Sequence, residues 1–591
     1  MARPITPWIV IPLALIIMQL SSSCSIAQPS ADLVLVHGNI YTVDAASTSV
    51  EALAIRDGAI VFVGSSEQAM AHVGPATSLW DLQGKTVLPG LHDSHIHILE
   101  AFHEASGTCV LGPANSPEQW IPTLRACAPR QVGTDWVLGW GHSIWDLTDH
   151  IDAGGRWPVD ILDDAIDDRP AVILEQTSHS VWANSQALAA AGIDRNTADP
   201  PGGRILRDPA GNPNGILLDG AGELLLDMAL APNPELRAMN VEALRFGLQE
   251  AARHGITSLV DARGHWQRGY VEAYQEVEAT EGLTARVVVS LWAYPYLDDT
   301  QQIEALKQYF SDDPTSWLRF SQVKVYSDGE LNQRTAALLE PYHCCELAGP
   351  RGLQYFDQTR LERYLRELGP LGFDFHIHAI GDHGVHSALN AIEAEQLTGA
   401  RHRLTHLEMV QPNDIPRFQS LGVIADIQTS SEFSEAAHAH ELDFLLGRDR
   451  IDERSLRLRD LYEGGARIVL SSDYDVGELS PFAGMRRALT RGDQSLPDLD
   501  AAIRAYTIDA AYLMRQEDRV GSLEVGKRAD LVILDRNPFT IPPQQLDRVR
   551  VEQTLVDGEL VFGPDLSTPG IAFFDDGFEG GDLERWSGSL L

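Results

Sequence analysis

Six residues scattered along this 591-residue chain have the types and settings of a metal centre: His95, His97, Lys324, His378, His406 and Asp473. They end short apolar runs in TVLPGLHDSHIH, FSQVKVYSDG, GFDFHIHAIGD, RHRLTHLE and ARIVLSSDYD. Runs of this kind read as buried strands. The strand ends of a parallel β/α barrel open onto one face, so residues far apart in sequence meet there. Imidazoles together with a carboxylate suit zinc or a similar divalent ion. The chemistry implied is metal-activated water attacking a polar bond.

His95 and His97 are two apart, so on a strand their side chains share one side and can share one ion. Lys324, in VKVYSDG, carries an ammonium that cannot bind a cation. As a buried neutral amine it can take up carbon dioxide and bridge two metals as a carbamate; the competing role is a salt bridge to Asp328. His378 and His406 end later strands, in HAIGD and THLE. His376 shares a strand face with His378, and spacing does not choose between them. Asp473 closes the last strand in LSSDYD, where a carboxylate can hold metal and take a proton from water. Asp475 competes with it from a looser setting.

The elements that must position these residues alternate along the chain. GITSLVDA, ARVVVSLW, SQVKVYSD, FDFHIHAIG, RLTHLE, GVIADIQ and ARIVLSSD are strand candidates, and the strand before His95 makes eight. VEALRFGLQEAARHG and TRLERYLRELGPLG are amphipathic helices followed by glycine. The pattern predicts an α/β fold, a (β/α)8 TIM-type barrel over residues 87–514. A Trp-, Pro-, Gly- and Asp-rich insertion at about 100–240 interrupts it after the first strand, on the catalytic face. Trp140 and Trp145 are candidates to line a lid there. Short β-prone runs at 28–86 and 515–563, punctuated by Asp-Gly and Gly, predict a small β-sandwich domain built from both chain ends.

Net charge is −39, from 45 basic and 84 acidic residues. That argues against nucleic acid or an anionic membrane surface as partner. Residues 1–27 have a basic start at Arg3, an apolar stretch from Trp8 to Leu20 and a Ser25-Ile26-Ala27 cleavage pattern. The segment reads as a signal peptide cut after Ala27, so the protein is expected to be secreted or periplasmic. Acylation of Cys24 is the lesser alternative. Cys109 and Cys127 sit in one segment and can pair, whereas Cys344 and Cys345 are neighbours whose bond requires strained geometry. No CxxC spacing is present, which argues against a zinc–thiolate site. The acidic, Gly-rich stretch 564–591 reads as a disordered tail.

These motifs together resemble the metal-dependent amidohydrolase superfamily, in its amidohydrolase family 3 branch, which includes N-substituted formamide deformylases. The resemblance rests on PGLHDSHIH, SHSVWANSQAL, VKVYSDGELNQRTAALLEPY, HAIGD, RLTHLEMV, SSDYDVGELSPF and GSLEVGKRADLVILD, and spans roughly Ala31 to Gly563. It implies that His95, His97, Lys324, His378, His406 and Asp473 form the centre, and its HAIGD motif selects His378 over His376. It also implies the composite β domain and the insertion. By the same likeness His179, Asp328 and Arg334 are candidates for substrate contact. Glu330 stands where the family often has serine.

The expectation is therefore a metal-dependent hydrolase of a C–N bond outside peptides, acting on a linear amide or an N-acyl or N-formyl amine. One or two zinc ions and a carboxylated Lys324 are the implied cofactors, with Asp473, Lys324 and His406 carrying the chemistry. An esterase or lactonase using the same hydroxide is the alternative within enzymes, and a binding protein with a vestigial barrel is the alternative outside them. The expected partner is a small-molecule substrate. No segment after the signal is apolar and long enough to span a membrane, and both a monomer and a homo-oligomer are compatible with the sequence.

Overall fold

The structure is a computed structural model that describes Met1 and residues 30–103, 109–131, 135–430, 442–474 and 476–565. The signal-peptide segment beyond Met1, Cys24, Asp475 and all but the start of the tail lie outside the described residues.

Eight strands form one all-parallel sheet: β1 (Leu91–Ile96), β2 (Ile256–Gly264), β3 (Arg286–Trp292), β4 (Leu318–Tyr326), β5 (Asp374–Ala379), β6 (Arg403–His406), β7 (Ile424–Ile427) and β8 (Arg467–Leu470). They pair in chain order from β1 to β8. The sheet curls into an almost closed barrel. At the C-terminal end of the strands the seam is tied by two backbone hydrogen bonds: Asp473 N–H to His95 C=O at 2.8 Å, and His97 N–H to Tyr474 C=O at 2.8 Å.

The alternation of side chains along each strand sorts chemistry from packing. On β4, Val323 and Val325 join the main apolar core, together with Leu244, Tyr274 and Leu365 of the surrounding helices. Lys324 therefore turns to the barrel interior. On β5, Phe375 and Ile377 pack outward in the same core, which turns His376 and His378 inward. Burying each such Val, Ile or Phe contributes about 1.5–3 kcal/mol. A one-residue slip of β4 or β5 would lose that burial and drive polar groups into the helical layer. The 20-residue helix Pro234–Arg253 delivers the chain to β2. It stops at Gly255, whose φ of +79° suits a residue without a Cβ.

Between β1 and β2 the insertion builds its own six-stranded mixed sheet from described residues Cys109 to Asp219. It has a separate core that includes Trp120, Val137, Ile161, Trp182 and Ile216. Cys109 and Cys127 are disulfide-bonded within it, with Cα atoms 5.5 Å apart. Cys344 and Cys345 are also joined. A further six-stranded sheet combines strands from both ends of the chain. In it Leu531–Leu534 runs antiparallel to Thr86–Pro89, with Val532 opposite Leu88. A four-stranded sheet from 33–81 packs over it, and Leu35, Leu53 and Trp80 meet Val87, Ile533 and Leu555. Among the described residues no helix is long and apolar enough to cross a membrane.

Candidate metal centre

Asp473 sits three residues past β8 in the left-handed region, at φ 53°. His406, the last residue of β6, has φ 74°. Non-glycine residues in this region are uncommon and strained, and such strain gathers at functional sites. Here it aims both side chains across the barrel mouth.

Oδ1 of Asp473 lies 3.3 Å from Nε2 of His95 and 3.1 Å from Nε2 of His97. Its Oδ2 lies 3.8 Å from Nδ1 of His406. Nζ of Lys324 approaches Nε2 of His95 at 3.3 Å. His95, His97 and His406 therefore surround the Asp473 carboxylate, and Lys324 lies against His95. Behind the cluster, Nδ1 of His95 is held 2.8 Å from Thr405 Oγ1, while Nδ1 of His97 lies 3.3 Å from Glu100 Oε2 without a hydrogen bond. Partners of this kind fix the tautomer of a metal-binding imidazole. Oδ1 of Asp473 is buried and forms no hydrogen bond. A buried carboxylate oxygen left that way is costly. Donors sharing a tetrahedral ion at ~2.0–2.1 Å stand roughly 3.3 Å apart, which matches the separations of His95 and His97 from Asp473. The residues present fit a divalent cation.

Burial favours the neutral form of the Asp473 carboxyl, but its neighbours His97, His406 and Lys324 outweigh it, so the carboxyl stays well below the usual range. Burial drives Lys324 well below an ordinary lysine, against the pull of Asp473. That favours the free amine a carbamate requires.

His378 stands apart from the other five. Its ring lies 4.5 Å from that of His406 and 5.3 Å from that of His179, centroid to centroid. His378 lines the open pocket, together with His97, His406, Asp473, His179 and Glu330. His376 does not. It lies behind His95, with Nε2 3.2 Å from His95 Nδ1, and is bonded to Arg403.

The three residues expected at the substrate are dispersed. His179 is on the pocket wall. Asp328 is fully buried, and its carboxylate accepts the backbone N–H groups of Ala337, Ile380 and Gly381 at 2.8, 3.0 and 2.8 Å. It thus ties the loop after β4 to the end of β5, and no salt bridge joins it to Lys324 among the described residues. Arg334 points away from the pocket, to Cys345 C=O and Thr148 Oγ1 at 3.2 Å each, and stacks 3.9 Å from the Trp145 ring. Neither Trp140 nor Trp145 lines the pocket. Glu100, Arg263, Tyr326, Glu408 and Gln428 do line it, although no motif singled them out. Glu100 and Arg263 pair at 3.0 Å. Only the position of Glu100, three residues past His97, hinted at its place.

The model of the amidohydrolase family matches residues 78–562. The chain belongs to that family. This amidohydrolase is 28% identical over 548 residues to the putative amidohydrolase YtcJ of Bacillus subtilis, covering 89% of this chain and 98% of that one. It is 26% identical to the N-substituted formamide deformylase of Arthrobacter pascens, over 90% and 98% of the two chains. Among solved structures, an uncharacterized metal-dependent hydrolase of Pyrococcus horikoshii superposes with a TM-score of 0.68 at 24% identity, covering 86% of this chain and 99% of that one. That likeness shows the amidohydrolase fold.

Proposed function

We propose that this amidohydrolase cleaves the C–N bond of a linear amide or an N-acyl or N-formyl amine with water. The carrying observation is the convergence of His95, His97 and His406 on Asp473, whose Oδ1 is buried without a hydrogen bond, with Lys324 against His95. The N/O donor set favours zinc. His95, His97, His406 and Asp473 would hold the ion, with carboxylated Lys324 beside them; His378, across from His406, belongs to a second ion or to the substrate oxygen. A bound divalent ion supplies Lewis acidity, which acidifies water towards a pKa of about 7 and polarises a carbonyl.

The protein's own groups do the rest. Asp473, kept ionised by its neighbours, accepts the proton that water gives up as the new C–O bond forms. It returns that proton to nitrogen as the C–N bond breaks, yielding an acid and an amine. His406 flanks the reacting carbonyl, and His179 faces the substrate from the insertion. The deformylase relative supports an acyl amine as substrate. We read the architecture as a barrel (87–514) carrying a composite β-sandwich (28–86 and 515–563). Residues 1–27 we read as a secretory signal, in keeping with the disulfide between Cys109 and Cys127.

The test is a panel of formamides and N-acyl amines with matched esters, offered to zinc-loaded and chelator-treated protein. Amine release that requires metal is the expected result. Hydrolysis of esters alone would reassign the enzyme as an esterase. No turnover, with ligands still bound, would make it a binding protein.

A further inference from the structure

Cys344 and Cys345 are neighbours joined as a disulfide in the long loop after β4. Cys345 is exposed and Cys344 half-buried, whereas Cys109 of the other disulfide is fully buried. A bond between adjacent residues closes a small ring and constrains the backbone running through it. Cys345 stands at φ 62°, a region that residues with a side chain seldom occupy. Exposed or strained disulfides are the labile ones, which reductants open first.

The Cys345 carbonyl accepts a hydrogen bond from Nη1 of Arg334 at 3.2 Å, while Nη2 donates to Thr148 Oγ1 at 3.2 Å and the guanidinium stacks 3.9 Å from the Trp145 ring. Thr148 and Trp145 belong to the insertion helix Ile144–Asp152. Arg334 is 4% exposed, its Nε has no hydrogen-bond partner, and it makes no ion pair among the described residues. A buried cation held only by neutral acceptors and one ring depends on each of them. Arg334 is itself at φ 58°, inside a turn that closes on Glu330. Its N–H donates to Leu331 C=O at 2.9 Å, and the N–H groups of Thr335 and Ala336 donate to Glu330 C=O at 2.9 and 3.0 Å. Glu330 and Asn332 of that turn line the pocket. On its other side the cysteine pair meets the segment after β7: Cys344 Sγ lies 3.7 Å from the Phe444 carbonyl oxygen, and His343 N–H donates to Leu445 C=O at 2.7 Å.

We propose that Cys344–Cys345 is a redox latch on the pocket. As a disulfide it fixes the Cys345 carbonyl against Arg334, and Arg334 pins the Glu330 turn to the insertion. A dithiol reductant opens it. One thiolate attacks one cysteine sulfur and releases the other cysteine; the second thiolate then closes the reductant's own disulfide and releases the first. The latch gains two electrons and two protons, and the reductant is oxidised by the same amount. Two free cysteines no longer constrain the backbone, so Cys345 leaves its left-handed conformation and Arg334 loses an acceptor. The Glu330 turn and the insertion then come loose from each other. The oxidised protein is the form with the ordered pocket, which suits the oxidising compartment proposed for it. The latch is independent of the metal and of the bond cleaved.

The test reads backbone protection and needs no substrate. Native protein is treated with graded dithiothreitol, alkylated and mapped by peptide mass spectrometry. Cys344 and Cys345 should be alkylated before Cys109 and Cys127. Hydrogen–deuterium exchange of the same samples should show 330–336 and 144–152 exchanging at least about 10-fold faster once this pair is open, as expected for losing one hydrogen bond to a charged group. Protection of β4 should be unchanged, and reoxidation should restore the rest. Cys344→Ser/Cys345→Ser should exchange like the reduced wild type without any reductant and ignore dithiothreitol. Arg334→Ala should show the open pattern with the disulfide intact. The proposal fails if opening the pair leaves exchange at 330–336 and 144–152 unchanged, or if β4 loses protection together with them, which would be unfolding. It also fails if Arg334→Ala keeps the closed pattern, or if Cys344 and Cys345 are both thiols in protein kept under air.

Discussion

Oδ1 of Asp473 lies 3.1 Å from Nε2 of His97, so the last barrel strand and the first meet through a carboxylate and an imidazole. The backbone N–H of Asp473 on His95 C=O, at 2.8 Å, fixes that meeting independently of the side chain. Asp473→Asn should therefore keep the geometry and much of the metal while turnover falls by about 10²–10⁴-fold. Asp475→Asn should do much less. The reverse ranking in a steady-state assay would mean that the wrong carboxylate has been chosen.

His95 and His97 place their rings 5.3 Å apart around the same Asp473 oxygen. Replacing both by alanine should remove the ion at Asp473 and the activity together. Elemental analysis that found wild-type zinc in the double variant would sink the assignment.

Lys324 is 0% exposed and presses against two imidazoles, His95 and His376. Arginine stays protonated there and cannot become a carbamate. Lys324→Arg should be inactive, and Lys324→Ala should regain some turnover with added short carboxylic acids. Full activity in Lys324→Arg would show that only a positive charge is needed.

Asp328 holds three backbone N–H groups in a fully buried setting. Asp328→Ala strands those donors, each worth about 1–3 kcal/mol. A loss of at least ~3 kcal/mol in denaturant unfolding is expected, with a smaller loss for Asp328→Asn. A change inside the roughly ±0.5 kcal/mol of an ordinary surface substitution would remove Asp328 from this role.

His402 accepts the Phe375 backbone N–H at 3.1 Å through Nδ1, and its Nε2 is buried without a partner. Burial lowers its pKa from 6.5 to about 4. The unfolded chain therefore takes up this proton first as pH falls. Stability is full above about pH 6.5 and declines towards pH 4, by up to roughly 3 kcal/mol from this group. Unfolding free energies measured across that range should fall less steeply in His402→Gln. Equal slopes would show that His402 does not titrate in this window.

Much of the frame was legible because barrel strands bury apolar residues in short runs that stand out from amphipathic helices. VKV and FHIH place their hydrophobic residues at alternate positions, and that period alone turns Lys324, His376 and His378 inward. Asp473 was legible as the polar residue that closes an apolar run. Asp328 and Arg334 were not, because a polar residue after a strand reads the same whether it faces substrate or a backbone N–H. Asp328 is consumed by the loop it ties, and Arg334 by the insertion.

By itself the sequence determined the strand ends and the residue types gathered on them, since these follow from local periodicity and polarity. Tertiary structure decided which of those residues stand close enough to share an ion. The paths of β5 and β6, and the insertion that brings His179 beside Glu330, set His378 toward one cluster and His406 toward the other. Such distances depend on how distant segments pack across the barrel mouth, and no local pattern encodes them.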